Sequence, residues 1–359
     1  MNKLIKIGAS ATLLSAVACT AMAQSKVVVS GALDTGLMSV NHVGNGAQSK
    51  VSAVDSIMGV SNLGFSGKED LGNGLSALFR LQAGFNPTKG SMSASGQIFS
   101  RNAYVGLDGG FGTVTLGKQW NFNDDWLVGS VFKGGYNSGA VFKFSEFDAL
   151  SEIYNNTLKY VTPSFNGLQA GAMYAAGESA ASASAGSVSN VALKYVQGPL
   201  LLAASYDSEK AGATTLTGNL YKLATVGANY GFGALHARLG YAHSNIGGPG
   251  VFQSIASQSA SKASVVEAGL DYDVTAAFTS SADVLYRRNT TLSNSSKVYR
   301  LLETYKLSPR TSLIANIAYL NNSGGASEAM VNADTGAGVG GGITNQGQSG
   351  VALGIVHAF

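Results

Sequence analysis

The chain has one cysteine and five prolines in 359 residues, and only 12% of its residues are charged. A single thiol excludes a disulfide framework and a zinc-thiolate centre, which need several at fixed spacing. A charged fraction about half the usual ~25% argues against an ordinary soluble domain. The formal net charge of +3 is too small for nucleic-acid binding through bulk positive charge. Past the first two dozen residues no apolar run approaches the ~18 residues a membrane-spanning helix requires, so a helical membrane protein is excluded too. The four histidines, at 42, 236, 243 and 357, are scattered, and neither a metal-binding helix nor a nucleophile elbow is present. Gly336-x-Gly338-x-x-Gly341 has the spacing of a dinucleotide loop, but no buried strand precedes it and no helix follows, so it reads as an external loop. Neither a cofactor, a metal nor an enzymatic activity is expected.

What the chain does have is glycine, 47 residues, and an ordinary hydrophobic fraction of 45%. Its N-terminus carries Lys3 and Lys6, an apolar stretch from Ile7 to Ala18, and Ala21-Met22-Ala23. These are the parts of a secretory signal peptide, expected over 1–23 with the mature chain at 24–359. A lipoprotein cut before Cys19 is the other reading of the stretch, with Ala16 where such sites usually carry leucine. Loss of the two leader lysines leaves acidic and basic residues almost balanced.

The exported region alternates in polarity with period two, as strands between two environments do. Over 76–85, Ala77, Phe79, Leu81, Ala83 and Phe85 oppose Ser76, Arg80 and Gln82. Over 277–287, Phe278, Ala282, Val284 and Tyr286 oppose Thr279, Ser281, Asp283 and Arg287, and Leu235, Ala237, Leu239 and Tyr241 oppose His236 and Arg238. In a soluble sandwich the apolar faces meet each other; in an outer-membrane barrel they face lipid around a wet lumen. Three features favour the barrel. The segments have the ~10-residue length of a tilted membrane strand. Short turns alternate with long polar stretches at 42–56, 245–262 and 323–346. Tyr160, Tyr174, Tyr206, Tyr230, Tyr241, Tyr286 and Tyr319 stand near strand ends, where interfacial girdles belong. The expected fold is an all-β transmembrane antiparallel barrel of about 16 strands, an even number that closes without an exposed edge around an aqueous channel.

The run Leu63-Gly64-Phe65-Ser66-Gly67-Lys68-Glu69-Asp70-Leu71-Gly72-Asn73-Gly74-Leu75 is followed by Arg101-Asn102-Ala103-Tyr104-Val105-Gly106-Leu107 and Phe111-Gly112-Thr113-Val114-Thr115-Leu116-Gly117-Lys118-Gln119. With Asn155-Asn156-Thr157-Leu158-Lys159-Tyr160, Pro163-Ser164-Phe165-Asn166-Gly167 and the terminal Phe359, it resembles the Gram-negative general porins of the betaproteobacterial and neisserial type. The resemblance covers essentially the whole exported chain. It implies an outer-membrane homotrimer whose barrels pass small hydrophilic solutes and ions by passive diffusion, each narrowed by an inward-folded third external loop. Lipid, lipopolysaccharide and the outer-membrane assembly machinery are the further partners it implies. An adhesin or structural anchor with a non-conducting lumen is the alternative function for such a barrel.

The connection 120–152 stands where that loop belongs, and holds Asp124, Asp125, Glu146, Asp148 and Glu152 against Lys133 and Lys143. Arg80 and Arg101 are expected opposite as wall cations, so that a transverse field crosses the pore. Lys118 shares the parity of Val114 and Leu116, which would turn it to lipid; a bulge at Gly117 would re-aim it into the lumen, where the family's basic residue places it. The family's basic residues on either side of Leu-Gly-Phe are replaced by Asn62 and Ser66, so weak charge selectivity is expected. The alternating last strand ending in Phe359 resembles the family's assembly signal, with His357 as an interfacial side chain.

Overall fold

The computed structural model describes residues 26–43, 48–132, 153–178, 180, 184–210, 220–247, 261–330 and 343–359. The first half contains β1 (Lys26–Val43), β2 (Gln48–Asp55), β3 (Asn62–Gly72), β4 (Leu75–Asn86), β5 (Ser91–Met92), β6 (Asn102–Gly109), β7 (Gly112–Trp120), β8 (Ile153–Val161) and β9 (Leu168–Ala175). The second contains β10 (Val188–Gln197), β11 (Leu200–Lys210), β12 (Leu220–Phe232), β13 (Leu235–Ile246), β14 (Ser261–Asp273), β15 (Phe278–Asn289), β16 (Asn294–Lys306), β17 (Thr311–Ser323) and β18 (Gln348–Ala358). A single-turn π-helical segment, Asn123–Leu127, follows β7.

The strands form one closed antiparallel sheet, in which β18 pairs with β1 from Ala32↔Ala358 to Val40↔Gly350. β2 and β3 both run beside β1, through Thr35↔Asp55 and Lys26↔Lys68, and so share one wall position. The two-residue β5 only folds back on the end of β4. Sixteen wall positions result, the expected number. Closure leaves every wall position with a hydrogen-bonded neighbour on each side, the second through β1 and, by way of β3, β4, which a sheet in hydrocarbon requires. Tight turns between neighbours use left-handed backbone, as at Gly72-Asn73-Gly74, where all three φ angles are positive.

The second wall strand differs from expectation. Residues 48–55, expected within a polar connection, form β2, because β1 continues to Val43 and its outer backbone groups need partners. The wall position resumes at Asn62, and 56–61 leave the sheet.

The polarity of the wall is that of a membrane barrel. Leu107, Leu116, Leu193, Leu239, Val284 and Leu353 are exposed on its outer face, whereas Thr115, Asn190, Ser205, Thr225, Arg238 and Asp283 are buried on the inner one. All seven tyrosines expected in interfacial girdles are exposed. The inner surface is not uniformly polar. Towards the outer mouth, Leu223, Val265, Leu285, Val298 and Leu320 point inward and are fully buried in one cluster with Met38, Val40 and Met330. Met330 comes from the connection between β17 and β18. Its amide donates to Gln348 Oε1 at 2.8 Å, and its sulfur occupies the space where a side chain at Gly350 would stand. That connection therefore folds back onto the inner wall, which gives it an apolar seat.

Candidate functional site

The chain leaving β7 is fastened to the inner faces of strands far away in sequence. The Phe122 amide donates to Asn190 Oδ1 at 2.8 Å, Thr225 Oγ1 donates to Asn123 Oδ1 at 2.8 Å, and Asn229 Nδ2 donates to the Ser130 carbonyl at 2.8 Å. Three wall glycines receive its side chains. A Cβ at Gly171 would lie 2.2 Å from the Phe122 ring, one at Gly227 2.3 Å from Val131, and one at Gly240 1.8 Å from the Phe132 ring. No other residue fits at such distances, so β9, β12 and β13 each carry a socket made by the missing side chain. Phe122, Leu127, Val131 and Phe132 are consequently buried.

This segment, β4, the start of β3, Arg101 just before β6 and residues 59–60 line a cavity of about 320 Å³. Arg80, Arg101, Asp124 and Asp125 all line it, so four residues separated by up to 45 positions in sequence come together there. The Arg101 guanidinium lies 4.6 Å over the Trp120 ring, and Arg80 stands across from Tyr104 on β6. Asp125 is also ion-paired with Lys159, whose ammonium donates to the Trp120 carbonyl at 2.8 Å and sits 4.4 Å over the Phe122 ring. Beside Arg80, the neutral side chains of Asn62, Gln82 and Asn102 form a ladder of amide hydrogen bonds at 2.8 and 2.9 Å.

Gly59 and Val60 reach the cavity because the second wall strand is interrupted. Asp34, buried on β1, accepts the amides of Met58 and Gly59 at 2.6 and 2.8 Å through Oδ2, while its carbonyl accepts the Ser56 amide. Ile57 fills the hollow over Gly36 and Gly354. Reading the sequence alone missed this excursion. Its only sequence signal is an acidic residue in the middle of an otherwise alternating strand, which by itself does not say which backbone it caps.

Lys118 is not among the cavity residues. The β6–β7 register runs unbroken through Ala103↔Lys118, so Lys118 keeps the parity of Leu116 and faces outward. The register shift between Gly117 and Gln119 takes its extra residue from β8, at Asn155–Asn156, where Asn156 has φ +54. The expectation that Gly117 re-aims Lys118 into the lumen is thereby corrected: Lys118 donates to Asn155 Oδ1 at 2.9 Å on the outer side. Lys118→Gln is expected to leave ion selectivity unchanged. Stability should change by no more than about 1 kcal/mol, the cost of a cation near the membrane interface; reversal potentials and urea unfolding check both. Glu146 and Asp148, like Lys133, Lys143 and Glu152, lie outside the described residues, as does the glycine pattern 336–341. Phe359 exchanges two backbone hydrogen bonds of 3.0 Å with Gly31, and its ring lies over that glycine where β18 meets β1. His357 Nδ1 is hydrogen-bonded to Thr311 Oγ1 at 2.9 Å on the exposed side.

A second charged group lies across β13–β16. Arg238 lies over Gly269 and bonds Asp271 through Nε and Nη2, both at 3.0 Å, and Glu267 through Nη1 at 3.0 Å. Arg300 pairs with Asp283, and its guanidinium is 3.9 Å from Glu267. All five are almost wholly buried. Alternation places Arg238 and Asp283 on the polar face, but the pairing depends on register between strands, which a single strand does not encode. Among the described residues no group of three or more His, Cys, Asp or Glu could hold a metal ion.

A family model described as Gram-negative porin matches residues 9–325. Outer membrane porin protein 32 of Delftia acidovorans is 31% identical over 355 residues, covering 94% of this chain and 95% of its own. An outer membrane porin protein of Bordetella pertussis is 30% identical over 269 residues, covering 66% of this chain and 69% of its own. Among solved structures, the anion-selective porin from Comamonas acidovorans superposes with a TM-score of 0.79 at 26% identity, over 93% of this chain and all of that one.

Proposed function

The chain belongs to the Gram-negative porin family and forms an outer-membrane channel for small hydrophilic solutes and ions, and we propose that Arg80, Arg101, Asp124 and Asp125 form its filter. The observation that carries this reading is that both arginines and both aspartates line one cavity inside the barrel. Opposite charges on two sides of a narrow aqueous passage produce a transverse field, which orients dipolar solutes and sorts ions by sign without binding them tightly. The loop 120–152 is the constricting element, held by the sockets at Gly171, Gly227 and Gly240. Glu146 and Asp148 add to its acidic side.

Selectivity in this channel is weak. The relative from Comamonas acidovorans is described as anion-selective; here the Asn62–Gln82–Asn102 ladder puts neutral amides beside Arg80, and Asp124 and Asp125 oppose the two arginines. The protein works as a channel and not as an enzyme, as a homotrimer, with residues 1–23 removed on export. Phe359 serves as the assembly signal read by the insertion machinery, and lipopolysaccharide surrounds the finished barrel.

Single-channel recording in planar bilayers under a KCl gradient tests the filter. The parent protein is expected to conduct with only a small reversal potential. Arg80→Gln with Arg101→Gln should move that potential towards cation preference, an effect that grows as salt is lowered because screening weakens. An unchanged potential in the double variant removes these arginines from the constriction, and a parent barrel that does not conduct favours the anchor or adhesin reading.

A further inference from the structure

Lys159, Lys194, Arg238 and Arg300, which face the lumen, all have partners. Lys159 is bonded to Asp125, Lys194 rests 4.9 Å over the Trp126 ring as part of the constriction, and the two arginines are tied to carboxylates. A different set of cations faces away from the lumen. Lys210 on β11, Lys222 on β12, Lys262 on β14, Arg288 on β15 and Lys297 on β16 are all exposed. Each shares the parity of outward residues on its own strand, namely Tyr206, Val226, Val266, Tyr286 and Tyr299. None of the five forms an ion pair with a carboxylate of the described residues. The acids on the same strands take the other parity: Asp207, Glu267 and Asp283 are buried on the inner face, and Glu209 accepts the Tyr154 hydroxyl there at 3.4 Å.

The five form one row. Short turns are periplasmic and long loops external in outer-membrane barrels, so all five stand at the external ends of their strands, just beyond the girdle tyrosines Tyr206, Tyr286 and Tyr299. Lys222 is directly across from Asn245, and Asn245 from Lys262, which puts the two lysines two strand spacings, or about 10 Å, apart. Lys210, Arg288 and Lys297 extend the row by diagonal steps, since Ser208 faces Lys222, Ser264 faces Arg288 and Arg288 faces Ser295; each step is about 7–8 Å. The row then stops. At the same level β17, β18 and β1 carry Asn321, Ser349 and Asn41, so the charge belongs to one face of the barrel and not to a general belt.

Below the row the outer wall has a groove. Ala204 and Ala228, small and outward, lie among Leu193, Leu202, Val226 and Leu239 around a space of about 360 Å³, on the opposite side of the wall from Val131 and Phe132. Val226 is four residues from Lys222, about 13 Å along a strand that rises about 3.3 Å per residue. That depth is within half of the ~30 Å hydrocarbon layer. Cations at headgroup level thus stand directly above an apolar groove one leaflet deep, on the same two strands.

We propose that the outer face of β11–β16 is a binding site for a phosphorylated, multiply acylated lipid of the external leaflet, lipopolysaccharide, whose phosphates take the cationic row and one of whose acyl chains takes the groove. This rests on the reading that lipopolysaccharide surrounds the barrel, and adds which face and which side chains hold it; the filter plays no part in it. Charge selects the occupant. Ammonium and guanidinium groups make their strong hydrogen bonds to phosphate oxygens, whereas a second copy of this chain offers little: Glu178 is the one exposed carboxylate at the external strand ends among the described residues.

The test is the affinity of the detergent-folded protein for bisphosphoryl lipid A, read by native mass spectrometry at low salt. The parent should bind it more tightly than monophosphoryl lipid A or phosphatidylglycerol, and millimolar inorganic phosphate should not displace it. Lys222→Gln with Lys262→Gln and Arg288→Gln should weaken binding about a hundredfold, the weight of roughly three basic side chains at an anionic membrane surface, whereas Lys222→Arg with Lys262→Arg should keep it. Filling the groove by Ala204→Leu with Ala228→Leu should weaken it about tenfold, the loss of roughly two buried CH₂ groups. Lys118→Gln, an outward cation outside the row, should change nothing. Parent-like affinity in the triple or the groove variant, an equal loss in Lys118→Gln, phosphatidylglycerol bound as tightly as lipid A, or displacement by phosphate would overturn the proposal. Conductance and reversal potential of the triple variant should match the parent, which keeps the readings apart: a parent barrel that does not conduct, yet loses lipid A in the triple variant, sinks only the channel.

Discussion

Gly240→Leu is expected to give a wider and noisier channel. Phe132 occupies the space directly above Gly240, where even a Cβ would stand 1.8 Å from its ring. Leucine cannot be accommodated by small shifts of the wall, because β13 is held at Gly240 between paired strands on both sides. Overpacking of this kind costs about 1–3 kcal/mol, and the strain is relieved most easily by letting the segment lift away, since the wall is held on both sides by continuous hydrogen bonding. Val131 would leave its socket at Gly227 with it. Single-channel conductance should therefore rise and discrimination against larger solutes in liposome swelling should fall, while the unfolding midpoint of the barrel moves little. Adding Phe132→Ala to Gly240→Leu empties the space the leucine needs and should bring conductance back towards the parent value. Gly110→Ala, in an open periplasmic turn with nothing within 4 Å, is the control expected to change neither. A parent-like conductance in Gly240→Leu would mean that the segment is held by something other than this socket.

Arg238→Met should destabilise the barrel more than any other single change considered for this protein. The guanidinium makes three hydrogen bonds to Asp271 and Glu267, at 3.0 Å each. Both carboxylates are almost inaccessible to water. Removing the cation takes two hydrogen bonds from Asp271 and one from Glu267, which keeps only Arg300 at 3.9 Å; loss of one partner of a buried pair costs about 3–5 kcal/mol. The wall is locally short of positive charge even in the parent, because Arg238 and Arg300 face three carboxylates and Glu267 Oε2 and Asp283 Oδ2 already make no hydrogen bond. The expected result is a clearly lowered midpoint in urea unfolding of the detergent-folded protein. Adding Glu267→Gln and Asp271→Asn to Arg238→Met removes the unbalanced charges and should recover most of the loss. A midpoint unchanged by Arg238→Met alone would show that water reaches these carboxylates.

The barrel was legible because its solvent changes sides every residue. A strand between lipid and lumen must alternate, and the alternation of segments such as 76–85 and 277–287 survives in the exposure of Val284 and Tyr286 against the burial of Ser281 and Asp283. The wall positions could be counted for the same reason. The charges that line the cavity were legible in kind: Arg80 by parity, and Asp124 and Asp125 by their place in the long connection after the fifth wall strand. Lys118 was misplaced because parity was right and the assumed bulge was on the wrong strand; two adjacent strands share a register shift, and only their pairing says which one carries the extra residue. Lys159 and Lys194 were passed over because each is one polar residue in a strand of ordinary pattern, and their distinction lies in the aromatic rings that a distant segment brings to them.

By itself the sequence determined the direction of the two faces, the closed antiparallel wall and the family to which it belongs, since each depends on spacing along one strand or on motifs of a few residues. Which residues come together was decided only by the tertiary structure: Arg80, Asp124 and Asp125 around one cavity, Arg238 with Glu267 and Asp271, Lys194 with Trp126, Gly240 with Phe132. The physical reason is that hydration of a side chain is imposed locally, by whichever medium its strand face touches, whereas the field in the cavity is a sum over charges whose separations are set by barrel closure and by where one loop finds room among the glycines of the opposite wall.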